Sequence, residues 1–544
     1  MSRMTGAQAL VDLLKLHGID TLFALPGVQN DGLFNALYDA GGSIRVIHTR
    51  HEQGAAYMAY GYARSTGRVG AYSVVPGPGV LNTTAALSTA YAANARVLCL
   101  TGQIATSAIG RGFGMLHELP DQLSILKSLT KYAARIEHPT QAQRIVDEAF
   151  RQLNTGRPRP VAIEVPPDVL TMETEVTLHD PYTGDPEIAP DADAVRRAAE
   201  LLAKAKHPLI VIGSGAENAG DELLALAQAL QAPVVTPTSG RGIISDRNYL
   251  SLDGPAGHRL WAEADVVLAV GTRLLRPLTM WGVDDALKII RVDIDPNEPA
   301  RVKAPAISIV ADARLTLAAL RAALPAQNGS RPSRETELRA LKAETRGQMS
   351  AALTTQFEYL AAIRDVLPDD GILVDEVTQI GYVADMAYPA YRPRTLITSG
   401  YQGTLGYGFA TALGVKVANP DKPVISISGD GGFMYNVQEL STAVAHNIAL
   451  VAVVFVDGYF GNVYRMQKEQ YGGRVIASKL KNPDFVKLAD SFGVNSGRAT
   501  SPDELRGVLR TALAHNGPTL IEVPVGQMNS PWAFAMLPRI RGVA

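Results

Sequence analysis

The sequence lacks the features that mark several classes of protein. It contains one cysteine, Cys99, among 544 residues, which excludes an internal disulfide and makes a cysteine-based metal cluster implausible. Because Cys99 lies in the apolar run 97–100, we expect a buried core residue and not a nucleophile. No apolar run reaches the roughly 18 residues that span a bilayer. The first twenty residues predict an amphipathic helix without a secretion signal. We therefore expect a cytoplasmic protein that does not span a membrane.

Excess charge is also lacking. The formal net charge is −2, and no basic stripe is present, so neither nucleic acid nor an anionic membrane is an expected partner. A hydrophobic content of 47%, a charged content of 19% and 49 glycines are typical of a globular protein with many tight turns. A small molecule is the expected partner.

Strand-length apolar runs alternate with helix-length segments in three successive regions, a pattern typical of parallel sheets covered by helices. The predicted strands are RVIHT, VGAYSVV, RVLCLTG, PVAIEVP, HPLIVIGSG, APVVTPTS, ADVVLAVGT, KIIRVDID, DGILVDE, TLITSG, PVISISGDG, IALVAVVFVD and PTLIEVPV. The segment from residue 173 predicts an irregular linker, and the segment after residue 325 predicts a flexible turn followed by a solvated helix. The sequence therefore predicts three tandem α/β domains, at residues 1–180, 190–325 and 350–544.

The strongest local motif is a buried strand that ends in Gly429, Asp430, Gly431 and Gly432 and is followed directly by a helix. Ligands bind at such strand ends in α/β proteins. The glycines allow close approach to a ligand, the helix start offers N–H groups to an anion, and Asp430 offers an oxygen to a divalent cation. Alone, the motif fits an ordinary Asp-Gly turn equally well.

A second strand end strengthens the metal interpretation. The next strand ends at Asp457 and is followed by Gly458, Tyr459, Phe460 and Gly461. Two neighbouring parallel strands that each end in a carboxylate can place both oxygens on one Mg²⁺, with a loop carbonyl as a third ligand. Since Mg²⁺ is commonly shared with phosphates, the arrangement indicates a bound diphosphate.

These motifs resemble the thiamine diphosphate (ThDP) signature of the acetohydroxyacid synthase and pyruvate oxidase superfamily. Three further segments resemble the same enzymes in the same order: TLFALPGVQNDGLFNAL, RHEQGAAYMAYGYARSTGRVGAYSVVPGPGVLNTTAAL and GRPRPVAIEVPPDVL. The family signature closes with two asparagines, whereas this chain has Val456 and Asp457, and Asp457 falls at the asparagine that coordinates the metal. The resemblance implies ThDP and Mg²⁺ as cofactors, with Asp430, Asp457 and the carbonyl of Tyr459 as metal ligands. It also implies a Rossmann-like central domain between an N-terminal pyrimidine-binding domain and a C-terminal diphosphate-binding domain.

The resemblance implies roles for further residues. Glu52 falls at the glutamate that hydrogen-bonds to the cofactor's pyrimidine ring, where it promotes proton loss from the thiazolium C2. Leu405 falls at the side chain that holds the cofactor in a V shape. The other implied cofactor contacts are Pro26, Gly27, Thr378, Gln379, Gly403, Thr404, Gly429, Gly431, Gly432, Phe460 and Gly461. In this superfamily Glu52 and the diphosphate site come from different subunits, which implies a homodimer or homotetramer.

Two regions depart from acetohydroxyacid synthases. Leu116 and His117 stand where the family usually has Phe-Gln, and the following TKYAARI is closer to 2-hydroxyacyl-CoA lyase and oxalyl-CoA decarboxylase. His117 is either an active-site group that moves protons near neutral pH or a surface residue. Met466 falls at the tryptophan that restricts acceptor size, and its flexibility implies a differently shaped pocket. Leu116, His117 and Met466 are the predicted substrate-pocket residues.

The sequence therefore predicts a ThDP- and Mg²⁺-dependent enzyme that forms or cleaves C–C bonds of 2-keto acids, as an acetolactate synthase-like carboligase. The alternatives are a 2-keto acid decarboxylase, a 2-hydroxyacyl-CoA lyase, or a non-catalytic cofactor-binding regulatory homologue. Retention of Glu52, Asp430 and Asp457 argues against the last. Some relatives bind FAD or ADP in the central domain, so FAD binding stays open. The carboxyl end, which contains Trp532, is either a lid over the site or a docked anchor.

Overall fold

A computed structural model describes residues 2–182, 184–325 and 331–542. The chain divides into two compact units. Unit 1 comprises Met1–Asp185, Ser399–Ala499 and Val508–Pro524, and unit 2 comprises Pro186–Thr398, Thr500–Gly507 and Val525–Ala544. The flexible turn predicted after residue 325 falls on residues 326–330, outside the described residues. The predicted domain limits stay predictions.

The amino-terminal part of unit 1 contains a six-stranded parallel sheet covered by helices and a separate pair of antiparallel strands. The strands are β1 (Ser2–Thr5), β2 (Thr21–Ala24), β3 (Arg45–His48), β4 (Gly70–Val74), β5 (Val97–Gly102), β6 (Tyr132–Arg135), β7 (Val161–Val165) and β8 (Glu173–Val176). The helices are α1 (Gly6–Leu16), α2 (Asp31–Asp39), α3 (Glu52–Thr66), α4 (Pro78–Ala92), α5 (Gln122–Leu129), α6 (Ala142–Asn154) and α7 (Pro167–Thr171). The sheet order is β3-β2-β4-β5-β7-β6. The predicted core position of Cys99 is confirmed, since it is fully buried in β5 and burial raises the pKa of its thiol to about 12.

Two local expectations for this part were wrong. Residues 2–5 form β1 instead of a helix, and α1 begins only after Thr5, whose side chain caps it together with Gln8. Residues 173–176 form β8 instead of an irregular linker, and β8 pairs antiparallel with β1. Arg3 and Glu173, which join these strands, are 170 positions apart, and no local pattern reports so distant a partner.

The central part of unit 2 has the predicted Rossmann-like topology. Its strands are β9 (Pro208–Ile212), β10 (Val234–Val235), β11 (Ser251–Leu252), β12 (Val266–Val270), β13 (Lys288–Asp293) and β14 (Ile307–Val310), and its helices are α8 (Ala192–Lys204), α9 (Gly220–Leu230), α10 (Gly254–Trp261) and α11 (Ala313–Ala323). All the strand pairs are parallel, in the order β11-β10-β9-β12-β13-β14. This is the strand order of the Rossmann fold.

The last part of the chain contributes elements to each unit. Unit 2 contains α12 (Glu335–Ala352), which is the predicted solvated helix, α13 (Thr354–Val366) and α14 (Gly381–Ala387), and the parallel strands β15 (Ile372–Val374) and β16 (Leu396–Ile397). Unit 1 contains β17 (Val424–Gly429), β18 (Val451–Val456), β19 (Asn495–Arg498) and β20 (Thr519–Pro524), in the parallel order β17-β18-β20-β19. The helices that accompany these strands in unit 1 are α15 (Gly408–Ala418), α16 (Asp430–Phe433), α17 (Leu440–Ala445), α18 (Gly461–Gln470) and α19 (Phe485–Phe492). Helix α20 (Pro502–His515) begins in unit 2 and ends in unit 1, and α21 (Trp532–Ala535) belongs to unit 2. The predicted arrangement of tandem α/β regions with parallel sheets is confirmed.

The carboxyl-terminal segment is docked within unit 2. His258 Nε2 lies 2.8 Å from the carbonyl oxygen of Pro538, and Arg541 donates to the carbonyl oxygen of Ala264 at 2.6 Å. The ring of Trp532 packs 4.9 Å from that of Tyr382. These contacts favour the docked anchor over the lid. In the described part of the chain, no helix is both long and apolar enough to cross a membrane.

Candidate active site

The structure brings together the loops that carry Asp430 and Asp457. Strands β17 and β18 pair in parallel with Gly429 opposite Phe455, so the residues that follow each strand meet at one edge of the sheet. The backbone N–H of Gly458 donates to Asp430 Oδ2 at 2.8 Å. Two carboxylate-bearing strand ends therefore share one loop surface.

Asp430 is a buried carboxylate that is held by directed hydrogen bonds. It is 2% exposed. Its Oδ1 accepts from the N–H of Gly431 at 2.9 Å, and its Oδ2 also accepts from Asn482 Nδ2 at 2.6 Å. Burial raises the pKa of Asp430, while the hydrogen bonds from Gly458 and Asn482 act in the opposite direction. A nearby cation would offset the cost of burying this charge.

The donor set fits a hard divalent cation. Across residues 2–182, 184–325 and 331–542, no group of three or more His, Cys, Asp or Glu side chains could hold a metal. A cation beside Asp430 and Asp457 would thus draw its other ligands from carbonyl or phosphate oxygens. Mg²⁺ is commonly bound in this way, by one or two carboxylates together with substrate or cofactor phosphates.

A segment that the sequence motifs did not indicate fixes the loop after Asp457. The N–H of Phe460 donates to the carbonyl oxygen of Ser478, and the N–H of Leu480 donates to that of Gly458, both at 2.8 Å. A Cβ on Gly431 would lie 2.7 Å from the Phe460 ring. A side chain at position 431 would therefore force the Phe460 ring to move. Residues 478–482, which include Asn482, belong to the site, and nothing in their local pattern marks them.

The rest of this loop leads into α18. The N–H of Tyr459 donates to Asp457 Oδ1 at 2.9 Å, and Gly461 is the first residue of the helix. Met466 lies within α18 and is 41% exposed, with its sulfur 3.9 Å from Asn462 Nδ2. The predicted pocket residue thus stands on a helix that begins at the candidate metal site.

Glu52 is the first residue of α3. Its carboxylate Oε2 accepts a hydrogen bond from Asn82 Nδ2 of α4 at 3.0 Å, and its side chain is 14% exposed. His51 caps the helix by accepting from the N–H of Gln53. The Asn82 amide orients the Glu52 carboxylate. The sequence did not indicate this role, because no motif distinguishes Asn82 from the other residues of its family-like segment.

The glycine-rich segment that contains Leu405 is anchored on both sides. Thr404 Oγ1 lies 2.8 Å from Thr89 Oγ1 on α4, and Asn436 Nδ2 donates to the carbonyl oxygen of Gly406 at 2.6 Å. Gly403 has a φ of 58°, which favours glycine. Half-buried Leu405 is therefore flanked by contacts to the helix that carries Asn82 and to the segment that follows Asp430.

The loop around His117 is constrained. His117 has a φ of 67°, which is uncommon for a residue with a side chain. Its Nδ1 is buried, and no group among the described residues hydrogen-bonds to it. Gln29, which follows Pro26 and Gly27 at the end of β2, donates to the carbonyl oxygen of the exposed Leu116 at 3.1 Å. A strained backbone with an unsatisfied ring nitrogen favours a functional role over the surface alternative.

The two remaining candidates lie in unit 2, after β15. Gln379 is buried, and its side-chain oxygen accepts from the N–H of Met528 at 3.0 Å. The N–H of Thr378 donates to the carbonyl oxygen of Glu376 at 2.8 Å. Their predicted contacts with the cofactor stay predictions.

Comparisons with known proteins identify the family of the chain. Three family models match, described as the N-terminal TPP binding domain, the central domain and the C-terminal TPP binding domain of thiamine pyrophosphate enzymes, at residues 4–125, 195–320 and 376–523. A probable 2-ketoarginine decarboxylase of Pseudomonas aeruginosa is 34% identical over 96% of this chain and 94% of its own. A probable acetolactate synthase large subunit of Methanocaldococcus jannaschii is 34% identical over 96% and 92% of the two chains. The acetolactate synthase isozyme 3 large subunit of Escherichia coli is 31% identical over 94% and 93%. The chain belongs to the thiamine pyrophosphate enzyme family and is a thiamine diphosphate-dependent enzyme.

Proposed function

We propose that this enzyme forms C–C bonds between 2-keto acids, as an acetolactate synthase-like carboligase that uses ThDP and Mg²⁺. The observation that carries the proposal is the similarity to acetolactate synthase large subunits over nearly the whole chain. When bound, ThDP supplies a nucleophilic carbon that adds to a substrate carbonyl, and the protein supplies binding and orientation.

Asp430 and Asp457 hold the metal, and the carbonyl oxygen of Tyr459 is a third ligand. The contact between Gly458 and Asp430 supports this assignment because it fixes the two strand ends against each other. The backbone N–H groups of the 429–432 loop at the start of α16 would hold the diphosphate. Gly403, Thr404, Phe460 and Gly461 are further cofactor contacts.

Glu52 holds and moves a proton at the pyrimidine ring, and Asn82 keeps its carboxylate oriented. Leu405 supports the cofactor's V shape, and Pro26 and Gly27 are further cofactor contacts. The hydrogen bond from Asn82 to Glu52 Oε2 supports this role because it holds the carboxylate in one orientation.

The catalytic unit is a homodimer, or a homotetramer built from it. Large apolar side chains are exposed beside the site in unit 1: Val28 at 71%, Leu81 at 43%, Phe113 at 63% and Leu116 at 63%. Leu81 adjoins Asn82, and Val28 adjoins Gly27. Contiguous exposed apolar groups mark interaction surfaces, and in the proposed homodimer a second copy of the chain would cover these side chains.

A 2-keto acid decarboxylase is the second candidate, and 2-hydroxyacyl-CoA cleavage is the third. The relative named a probable 2-ketoarginine decarboxylase supports the second. In that reaction His117 would deliver the proton that replaces CO₂ in the product. An exposed Met466 would admit a longer side chain than a tryptophan allows.

Product analysis distinguishes these functions. The purified enzyme, with ThDP and Mg²⁺, is incubated separately with pyruvate, a guanidino 2-keto acid and a 2-hydroxyacyl-CoA. Acetolactate from pyruvate supports the carboligase. If a keto acid yields aldehyde and CO₂ and no acetolactate forms, the enzyme is a decarboxylase and not a carboligase. If the 2-hydroxyacyl-CoA yields aldehyde, the enzyme is a lyase. Cofactor binding without turnover would indicate the regulatory homologue, and a flavin absorption spectrum of the purified protein would indicate FAD.

A further inference from the structure

We propose that Glu439 is a positioning residue for Glu52, because its buried carboxylate fixes the chain at the start of α3. The proposal rests on the proposed role of Glu52 and assigns no contact with the cofactor to Glu439.

The carboxylate of Glu439 reaches the two residues that precede Glu52. It is 0% exposed and ends the 3₁₀ turn Val437–Glu439, which follows the Asp430 loop. Its Oε2 accepts from the backbone N–H of Arg50 at 3.1 Å, and its Oε1 accepts from that of His51 at 3.0 Å. Thr442 Oγ1 donates to Oε2 at 2.5 Å. Both carboxylate oxygens are thus committed to this arrangement.

The chemistry of these contacts favours a positioning role. A buried carboxylate is costly unless donors surround it, and bonds from N–H groups to an ionised carboxylate are short and strong. A backbone amide cannot leave its acceptor unless the chain itself moves. The negative charge also lies at the amino-terminal end of a 15-residue helix, where the helix dipole stabilises it. Glu439 therefore restrains the backbone from which the Glu52 side chain extends.

Gly54 supplies an independent observation. A Cβ at this position would lie 2.5 Å from Glu439 Oε1 and 2.7 Å from its Cδ. Any side chain at residue 54 would displace the carboxylate. The first turn of α3 therefore accommodates Glu439 only because residue 54 is a glycine.

The role of Glu439 differs from that of Asn82. Asn82 holds the Glu52 carboxylate itself, whereas Glu439 holds the backbone of the two preceding residues. Loss of Glu439 would leave the hydrogen bond from Asn82 in place but allow the helix start to shift. Small displacements of a catalytic group reduce rates steeply because proton transfer needs close alignment.

Glu439→Gln tests the proposal. The amide keeps the size of the side chain, but its –NH₂ group faces an N–H donor where the carboxylate oxygen accepted. We expect the rate of C2 proton exchange on bound ThDP to fall by about tenfold or more, with a much smaller change in the dissociation constant for ThDP. Hydrogen-exchange mass spectrometry should also show faster amide exchange in residues 45–55 than in the parent. The matched control is Glu298→Gln, which alters another buried carboxylate, one that pairs with Arg301 in unit 2, and should leave both readouts unchanged.

Gly54→Ala provides a second route to the same result. It should reproduce the slow C2 exchange, and the double variant should be little slower than either single variant, since both act on one contact. If Glu439→Gln does not fold, Gly54→Ala decides alone. C2 exchange at the parent rate in folded Glu439→Gln, or in Gly54→Ala if Glu439→Gln does not fold, would overturn the proposal. If C2 exchange is at the parent rate in that variant but slow in Glu52→Gln, only the role of Glu439 is refuted and the proposed function stands. If C2 exchange is at the parent rate in Glu52→Gln, the proposed function itself is contradicted.

Discussion

Two of the carboxylates on which the proposed chemistry depends, those of Glu52 and Asp430, each receive a hydrogen bond from an asparagine side chain. Asn82 donates to Glu52 at 3.0 Å, and Asn482 donates to Asp430 at 2.6 Å. A neutral amide orients a carboxylate without neutralising its charge, so each group keeps its electrostatic attraction for a ligand. Partners of this kind commonly control the affinity of metal ligands.

At this scale we predict that Asn482→Ala weakens Mg²⁺ binding by about 10- to 100-fold. Without the amide, the Asp430 carboxylate loses one of the donors to Oδ2 and gains rotational freedom. Titration calorimetry of Mg²⁺ into ThDP-loaded protein measures the effect. Asn495→Ala is the matched control, because the Asn495 side-chain amide donates to Thr519 Oγ1 on the neighbouring strand. Unchanged Mg²⁺ affinity in Asn482→Ala would show that Asp430 does not depend on this contact.

Residue contacts of this type explain why part of the site escaped sequence analysis. Asp430 and Asp457 were found because each directly follows a buried strand, and Glu52 because its surroundings resemble a family. Asn482 lies 52 positions from its partner and Glu439 lies 388 from His51. Such contacts exist only in the folded chain, and neither residue type marks a motif by itself.

At the scale of elements, the end of β3 meets the end of α17 through two histidines. His446 Nε2 lies 3.0 Å from His48 Nδ1, and β3 leads directly into α3. Burial, followed by the charge of His48, lowers the pKa of His446. The unfolded chain therefore takes up a proton at a higher pH than the folded chain does.

This linkage predicts that stability falls as the pH drops below about 6.5, the ordinary pKa of histidine, until the lower pKa of folded His446 is reached. The melting temperature, measured across this range, should decline less steeply in His446→Asn than in the parent. His179→Asn, at an exposed position, is the control. Equal slopes in the parent and His446→Asn would refute the assignment to this contact.

Strands with a clear hydrophobic pattern in the sequence were predictable. Strands that are stabilised by pairing with a distant segment were not. The inner strands β4, β5 and β7 are wholly buried, and their continuous apolar runs identified them. The polar strands β1 and β8 carry no such signal, because each is stabilised mainly by the other. The order of the Rossmann-like sheet follows from pairing between strands, which a single sequence does not encode locally.

At the scale of the whole molecule, Glu52 and Asp430 belong to separate hydrogen-bonded clusters within unit 1. Glu52 bonds with Asn82, and Asp430 bonds with Gly431, Gly458 and Asn482. In the proposed homodimer each active site takes Glu52 from one subunit and Asp430 from the other. Both sites depend on both chains.

Subunit mixing tests this arrangement. Glu52→Gln and Asp430→Asn should each be nearly inactive, but a hybrid dimer of the two has one site without either substitution. Equal mixing after reversible dissociation should restore about a quarter of the parent activity, because half of the dimers are hybrids and each has one intact site. Size-exclusion chromatography with light scattering verifies the dimer. No recovery from verified hybrids would place both residues of a site on the same subunit.

The central claim is that Glu52 activates thiamine diphosphate in this enzyme, and C2 proton exchange on the bound cofactor tests it most directly. The exchange is followed by NMR after quenching in parent and Glu52→Gln proteins, with cofactor binding verified by calorimetry. Glu52→Gln should bind ThDP but lose most of the exchange, because an amide cannot take or return the proton at the pyrimidine ring. Exchange at the parent rate in cofactor-loaded Glu52→Gln would contradict the account.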